Sequence, residues 1–387
     1  MMSTTYDVAI VGGGPAGSTC ARALVTGGAR VVILDRSPFP RVKLCAGWLS
    51  PGIWDALQLS PREYPRGLWA WSTCHVRYQG KDHAIPGKGW FIRRSELDDF
   101  LLRRSGADLR LGIHVKQLAR DADDNRWSLE LPDGTEIRAR YLVGAGGTHC
   151  PVARMLAPAR PRRAVGVQEL ELQADPAAIE RTRLGRDGEP ELVLFDDAGG
   201  YGWNVPKSGW LNVGCGTLDA SAVRGAWKVT HDHLRAAGHV PPEAEAALEH
   251  VKGYSYFLYD PAHLAAASRD NALLVGDALG LAHPITAEGI LPAAVSGRCA
   301  AEAILADDTE DYAARLARHE VIADYHRVHR LLAAASKLRR RAATPPRVAA
   351  SVGRYAVARG FGWMFSGARL PAPRLLDRVL DLLPDGR

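Results

Sequence analysis

The chain has 387 residues, with 49 Lys and Arg against 43 Asp and Glu, a net charge of +6 and 47% hydrophobic residues. That length admits two domains, or one large unit with a smaller one inserted, and that apolar fraction fills a substantial core. No uninterrupted apolar run reaches about eighteen residues, which excludes a membrane-spanning helix. The six cysteines stand apart without metal or cluster spacing, so the expectation is a reducing cytoplasm and no metal site.

Tyr6–Val11 reads as a buried parallel strand, and the segment before it has no basic stretch or cleavage site of a secretory signal. Ser18–Val25 is helix-like and stops at Gly27-Gly28, a helix C-terminal signal. Arg30–Leu34 gives the next strand with Asp35 at its end, completing a βαβ opening. A helix is expected over Ser95–Arg104 and a buried strand over Tyr141–Ala145. The middle changes character. Short β-rich runs at 163–173, 191–196 and 210–217, joined by 74–92, suggest an antiparallel sheet. From Ala293 the pattern is helical, broken at Pro345-Pro346 and Pro371-Ala372-Pro373.

These elements predict an α/β fold with three parts. A discontinuous Rossmann-like nucleotide-binding domain covers 1–75, 93–155 and 265–310. An inserted antiparallel-sheet substrate domain covers 76–92 and 156–264, and C-terminal helices cover 311–387. Twelve Lys or Arg and a single acid, Asp377, lie between Arg327 and Arg378. With Phe361, Trp363 and Phe365 among them, this basic end suits peripheral contact with an anionic membrane, or a solvated helix pair. It carries no recognisable nucleic-acid module, so no nucleic-acid partner is expected.

Gly12, Gly14 and Gly17, with Pro15 and Ala16 between them, form G-x-G-x-x-G directly after a strand and at a helix start. The first glycine permits the tight turn, the second lets the backbone approach a pyrophosphate, and the third allows close helix–strand packing. Helix N–H groups and the helix dipole favour phosphate. Asp35, eighteen residues past Gly17, stands where a carboxylate accepts from a ribose diol, with Arg36 beside it. The motif occurs once. NAD(P)H or another reductant is therefore expected only as a transient electron donor, with a different dinucleotide resident.

The run Val275-Gly276-Asp277 through Glu288-Gly289-Ile290 resembles the Gly-Asp motif of the flavoprotein superfamily of aromatic hydroxylases, flavin-dependent halogenases and geranylgeranyl reductases. Phe39–Pro51, Arg93–Asp98, and Tyr201–Lys207 with Asn212-Val213-Gly214 resemble the geranylgeranyl reductase family in particular. The resemblance implies resident FAD. It places Asp277 on the ribityl region, and Gly289 and Ile290 at the flavin's pyrimidine edge, where a helix N-terminus stabilises negative charge. It further implies cofactor contacts for Arg94, Val115 and the Cys45-Ala46-Gly47 loop, while Lys43 and Arg41 read as cofactor-side or solvent-facing cations and not as catalysts. Two positions depart from the family: Ala145-Gly146-Gly147 replaces the usual Asp-Gly, and Ala287 replaces the first glycine of Gly-Glu-Gly.

Cys45 is a candidate proton donor or redox partner beside the flavin, or a small residue in a tight loop. His283 is a candidate general acid, or a turn histidine packed beside Pro284. Trp203, Tyr254 and Tyr256 are candidates for an apolar substrate wall, or ordinary core. The activity implied is reduction of carbon–carbon double bonds in an isoprenoid or similarly apolar small molecule. Flavin-dependent oxygenation or halogenation, and quinone-linked electron carriage, are the alternatives. The oligomeric state is not legible in the sequence.

Overall fold

The computed structural model describes residues 3–121, 123–157, 164–182, 188–197, 199–341, 357–366, 373 and 376–377. In chain order the strands are β1 (Ser3–Val11), β2 (Val31–Asp35), β3 (Trp48–Leu49), β4 (Trp69–Tyr78), β5 (Lys81–Phe91), β6 (Asp108–Leu111), β7 (Gln117–Arg120), β8 (Trp127–Glu130), β9 (Glu136–Gly144), β10 (Ala164–Gln173), β11 (Glu191–Leu194), β12 (Gly200–Lys207), β13 (Trp210–Thr217), β14 (Lys252–Phe257), β15 (Ser268–Arg269) and β16 (Ala272–Leu274). The helices are α1 (Pro15–Thr26), α2 (Ile53–Leu57), α3 (Arg94–Arg104), α4 (Pro151–Leu156), α5 (Pro176–Arg181), α6 (Val223–Ala236), α7 (Ile290–Leu305), α8 (Tyr312–Arg318) and α9 (Glu320–Arg341).

The first sheet runs β15-β16-β9-β1-β2-β6, with β7 and β8 attached antiparallel to the start of β9. Its five central strands, β16 to β6, are parallel. Such strands are buried on both faces, which is why Val8–Val11 and Val31–Leu34 are near-continuous apolar runs. The chain moves outward from β1 through β2 to β6 and then returns to the other flank as β9. The carboxyl ends of β1 and β9 therefore flank a reversal of strand order, where open α/β sheets bind ligands.

The second sheet runs β14-β10-β13-β12-β11-β4-β5-β3 and is antiparallel except between β11 and β4. The α/β class with an inserted sheet and trailing helices is thus borne out. The expected boundary at 75/76 falls inside β4, and β3 belongs to the second sheet although it lies within 1–75. Both follow from pairing: Trp48 and Trp69 both lie opposite Phe91, which extends the sheet back to the loop before β3.

The second sheet is used on both faces. Trp203, Val205, Leu192, Val76 and Val167 face the first domain and the helical segment 357–365, whose Phe361 and Phe365 pack with Tyr201 and Trp48. Leu172, Leu211 and Val213 face the opposite way, under α6 and the 242–250 turn. Residues 342–356, 367–372, 374–375 and 378 of the basic stretch expected to touch a membrane lie outside the described residues. Among those described, no helix is long and apolar enough to cross one.

α1 packs on α7 through glycine. A Cβ on Gly297 would stand 2.3 Å from the Ala16 carbonyl oxygen, a backbone atom that cannot swing aside. Gly297→Ala is therefore expected to destabilise the protein by about 1–3 kcal/mol. Gly225→Ala in α6, with nothing within 4 Å of its Cβ, is expected to be neutral or stabilising by about 0.5–1 kcal/mol. Chemical denaturation of both variants measures the difference.

Candidate active site

The glycine turn is built by contact rather than by sequence preference alone. A Cβ on Gly12, whose φ is +116°, would lie 2.3 Å from the Ala145 carbonyl oxygen, and one on Gly17 would lie 2.0 Å from that of Gly12. Gly14 instead faces outward, and the atom nearest its missing Cβ is Arg41 Nη2 at 3.5 Å. Pro15 opens α1, and no side chain caps this helix. Its first-turn N–H groups are thus left for a ligand. Asp35 braces the same turn: Gly13 N–H donates to Oδ2 at 2.8 Å and Ser37 N–H donates to Oδ1 at 2.9 Å. Each oxygen keeps a lone pair for a ribose hydroxyl. Arg36 is exposed beside it, and Val115 sits two residues past Ile113, whose N–H donates to the Asp35 carbonyl at 3.0 Å.

A buried cation pair stands at the mouth of this turn. Arg94 donates to both oxygens of fully buried Asp98, at 2.7 and 2.8 Å, and Arg41 meets the same carboxylate at 3.1 Å. Burial opposes the Arg94 charge, but Asp98, with Cys45 adding to it, holds that guanidinium above its ordinary value. Burial pulls Arg41 below its own. Two cations share one carboxylate here, leaving net positive charge beside the anion-binding turn. Arg41, rather than Arg94, is the cation closest to Gly14.

The Gly-Asp motif closes the other end. Gly289 precedes α7, which also lacks a side-chain cap, and its missing Cβ would lie 3.2 Å from Asp277 Oδ1. Lys43 Nζ meets Asp277 Oδ2 at 3.3 Å. Ile290 is buried at the first position of α7. The Cys45-Ala46-Gly47 loop joins this end to the second sheet. Gly47 has φ +71°, and a Cβ there would lie 2.0 Å from the Ile92 carbonyl oxygen and 3.1 Å from Lys207 Nζ. Ala287 holds φ +58°, the left-handed region that the family's usual glycine occupies without strain.

Polar groups from the second sheet meet that loop. Asn212 donates from Nδ2 to the Cys45 carbonyl at 3.2 Å and to Glu169 Oε1 at 3.1 Å, while its Oδ1 accepts from Trp203 Nε1 at 2.7 Å. Tyr254 O–H donates to Glu169 Oε2 at 2.9 Å and its ring stacks on Tyr256. Fully buried Lys207 pairs with Glu171 at 2.9 Å. Burial pushes the Glu169 carboxyl up to about 7, against the lowering effect of Asn212, Tyr254 and Lys207. Glu288, which accepts from the Ser50 hydroxyl at 2.8 Å, is likewise pushed up to about 7 by burial.

The sequence singled out Trp203, Tyr254 and Tyr256, and the structure brings all three to the Cys45 side of the second sheet. The sequence reading passed over Glu169 and gave no role to Asn212 and Lys207, although both lie in the stretches that resemble the family. Cys45, Ala46, Tyr254, Tyr256, Asp277, Glu288 and Gly289 all keep partial exposure although both domains surround them, so they line a crevice. Two uncapped helix N-termini, a cation pair and glycines with no room for side chains fit a long anionic dinucleotide lying along it.

His283 does not fit the part of general acid. Its Nδ1 accepts from the Ile285 and Thr286 N–H groups at 3.1 and 3.0 Å, so it holds the turn. Burial pulls the ring down to about 3, leaving a neutral imidazole packed edge-on against Tyr325. All six cysteines are free, and among them only Cys45 is not buried.

A protein-family model described as an FAD binding domain matches residues 5–58 and 94–302. The menaquinone reductase of Mycolicibacterium smegmatis is 29% identical over 333 residues, covering 80% of this chain and 79% of its own. Digeranylgeranylglycerophospholipid reductase 2 of Methanopyrus kandleri is 30% identical over 331 residues, covering 79% of each. Among solved structures, a geranylgeranyl bacteriochlorophyll reductase-like protein of Thermoplasma acidophilum aligns with a TM-score of 0.63 at 18% identity, over 98% of this chain and 92% of that one. The flavin-dependent halogenase CmlS aligns at 0.66 and 21% identity, over 98% of this chain and 76% of that one. These structures share the fold.

The His283 ring sits below its unfolded value of 6.5, so between pH 6.5 and about 3 the unfolded chain binds the extra proton. Its effect on stability is absent above pH 6.5 and grows as pH falls towards 3. His283→Asn keeps an acceptor for the turn and is expected to reduce the acid loss of stability by about 1–3 kcal/mol. Denaturation of the wild-type and variant chains at stepped pH reads the difference.

Proposed function

We propose a reductase of carbon–carbon double bonds in an isoprenoid-bearing, apolar substrate, from one premise: the chain belongs to the FAD binding domain family and, within it, to the geranylgeranyl reductase family of oxidoreductases. The observation that carries this reading is the make-up of the second sheet's inner face. Aromatic and aliphatic side chains cover it, and among them Glu169 stands as a buried acid hydrogen-bonded towards the Cys45–Gly47 loop. An apolar wall suits a polyprenyl chain, and an acid kept partly protonated suits delivery of a proton to carbon. Menaquinone and digeranylgeranylglycerophospholipid, the compounds in the relatives' names, both carry polyprenyl alkenes.

FAD, when bound and reduced, supplies the hydride. Every other part belongs to the chain. The α1 turn with Arg41 holds the pyrophosphate, Asp35 the ribose, and Asp277 with the α7 N-terminus the ribityl and pyrimidine end. Lys43 orients Asp277. Asn212 fixes the Cys45 carbonyl and, with Tyr254, orients Glu169, which holds the proton. Trp203, Tyr254 and Tyr256 wall the crevice and exclude water from the reacting carbons. NAD(P)H or another two-electron reductant visits transiently to replenish the electrons.

The test is an anaerobic incubation of the purified full chain with a reductant and polyprenyl lipids or quinones, followed by mass spectrometry. A product heavier by two hydrogens supports the reading. Gain of oxygen only in air, or of halogen only with halide, would replace it with the oxygenase or halogenase alternative.

Glu169 must be protonated to act, so turnover is expected to fall as pH rises through about 7. Glu169→Gln should lower kcat by about 100-fold and abolish that limb. In Glu288→Gln the limb should persist, which separates the two raised carboxyls. Flavin content, read from the visible spectrum, should remain unchanged in Glu169→Gln.

A further inference from the structure

The face of the second sheet turned away from the crevice carries a cluster that plays no part in that reading. Glu191 on β11 accepts from His233 Nε2 of α6 at 2.7 Å through Oε1, and from His239 Nδ1 at 2.8 Å through Oε2. The three potential ligand atoms all lie within 4.8 Å of one another. Glu191 is only 3% exposed and His239 8%.

A second observation points at the same spot. Asn204 on β12 lies directly opposite Glu191 in the strand register, so both side chains share one face. Its Nδ2 donates to the His239 carbonyl at 3.0 Å. A carbonyl accepts only from the amide nitrogen, so this bond fixes which end of the amide is which. The other end, Oδ1, is buried without a hydrogen-bond partner, in a residue 1% exposed. A buried amide oxygen left unpaired costs about 1–3 kcal/mol unless something meets it.

Charge gives the third strand of the case. No Lys or Arg pairs with Glu191 among the described residues. A carboxylate buried in this way calls for a positive partner, which a divalent cation among these ligands would supply. His75 and Glu189, the other titratable pair at this end of the sheet, are occupied with each other at 2.6 Å.

We propose that Glu191, His233, His239 and Asn204 form a closed structural site for a divalent transition-metal cation of the zinc class. Two imidazole nitrogens, a carboxylate oxygen and an amide oxygen make a four-coordinate set of borderline donors, for which zinc is the common occupant. Ligands about 2.1 Å from such an ion stand roughly 3.4 Å apart, so small ring rotations convert the present contacts into coordination. The site joins α6 and the turn at His239 to β11 and β12. It has no open position towards the flavin crevice, and its role is to staple the substrate domain.

The experiment uses the untagged full chain, stripped with a chelator, reloaded with zinc chloride and desalted. About one zinc per chain by plasma mass spectrometry, with a melting midpoint raised by at least about 2 °C over the stripped protein, supports the site. The His233→Gln/His239→Gln double variant should lose both effects. Should that variant fail to fold, cobalt loading of the wild-type chain decides. Visible bands of a four-coordinate ion without thiolate charge transfer support the site, whereas thiolate bands or an octahedral spectrum contradict it. Less than about a tenth of a zinc per chain after reloading, with no change in melting, overturns the proposal and leaves two histidine–carboxylate hydrogen bonds as a plain clamp. Undiminished zinc in the folded double variant overturns it equally, because the ion then lies elsewhere.

Discussion

At the carboxyl end of β1 the backbone runs so close to its neighbours that side chains are shut out. The Gly12 turn presses on the Ala145 carbonyl, Gly17 on the Gly12 carbonyl, and Gly297 on that of Ala16. These contacts bring two helix N-termini, those of α1 and α7, to the same side of the parallel sheet. Both lack side-chain caps, so the first-turn N–H groups and positive dipole ends of both stand free of side-chain partners there. The Arg41–Asp98–Arg94 arrangement adds cationic charge at the first helix, and Asp277 with Lys43 sets the second. An FAD-dependent oxidoreductase needs this geometry before any question of substrate arises.

The second sheet takes its orientation from the loop that begins it. Cys45–Gly47 leads directly into β3, and Leu258 and Tyr259, just past β14, bond to Ala282 within the Gly-Asp motif. The sheet is thereby held against the cofactor end at two places. Its inner face combines an aromatic wall with the Glu169–Asn212–Tyr254 group, and its outer face packs under α6. One sheet thus separates two differently packed faces, and residue parity along each strand decides which face a group joins.

Much of the nucleotide domain was legible because its signals are local. Glycine spacing after an apolar strand, an acid at the next strand end and glycine at a helix terminus each carry a steric or electrostatic reason within a few residues. The inner-face network was not legible, and its strand shows why. In Gln168-Glu169-Leu170-Glu171-Leu172 the alternation reads as a half-exposed strand with glutamates towards water. The leucines do face the outer core, but the glutamates face a crevice that only tertiary packing creates. Glu191 precedes His233 and His239 by more than forty residues of strand and helix, so no single spacing motif announces the three. His283 was singled out for its chemistry. Its Nδ1 turned out to bind backbone N–H groups, a local bond that the adjoining Pro284 turn hinted at. The register of β3 with β5, which moved the domain edge, likewise depends on a long-range pairing invisible in a two-residue strand.

The proposed chemistry requires a single flavin lying along the crevice between the two domains. Its most direct measurement is the flavin content of the purified full chain, from the visible spectrum of the native protein and the FAD released on denaturation. About one FAD per chain is expected, with a native spectrum perturbed from that of free FAD by an enclosed site. A folded, colourless chain that takes up no FAD on incubation would contradict it.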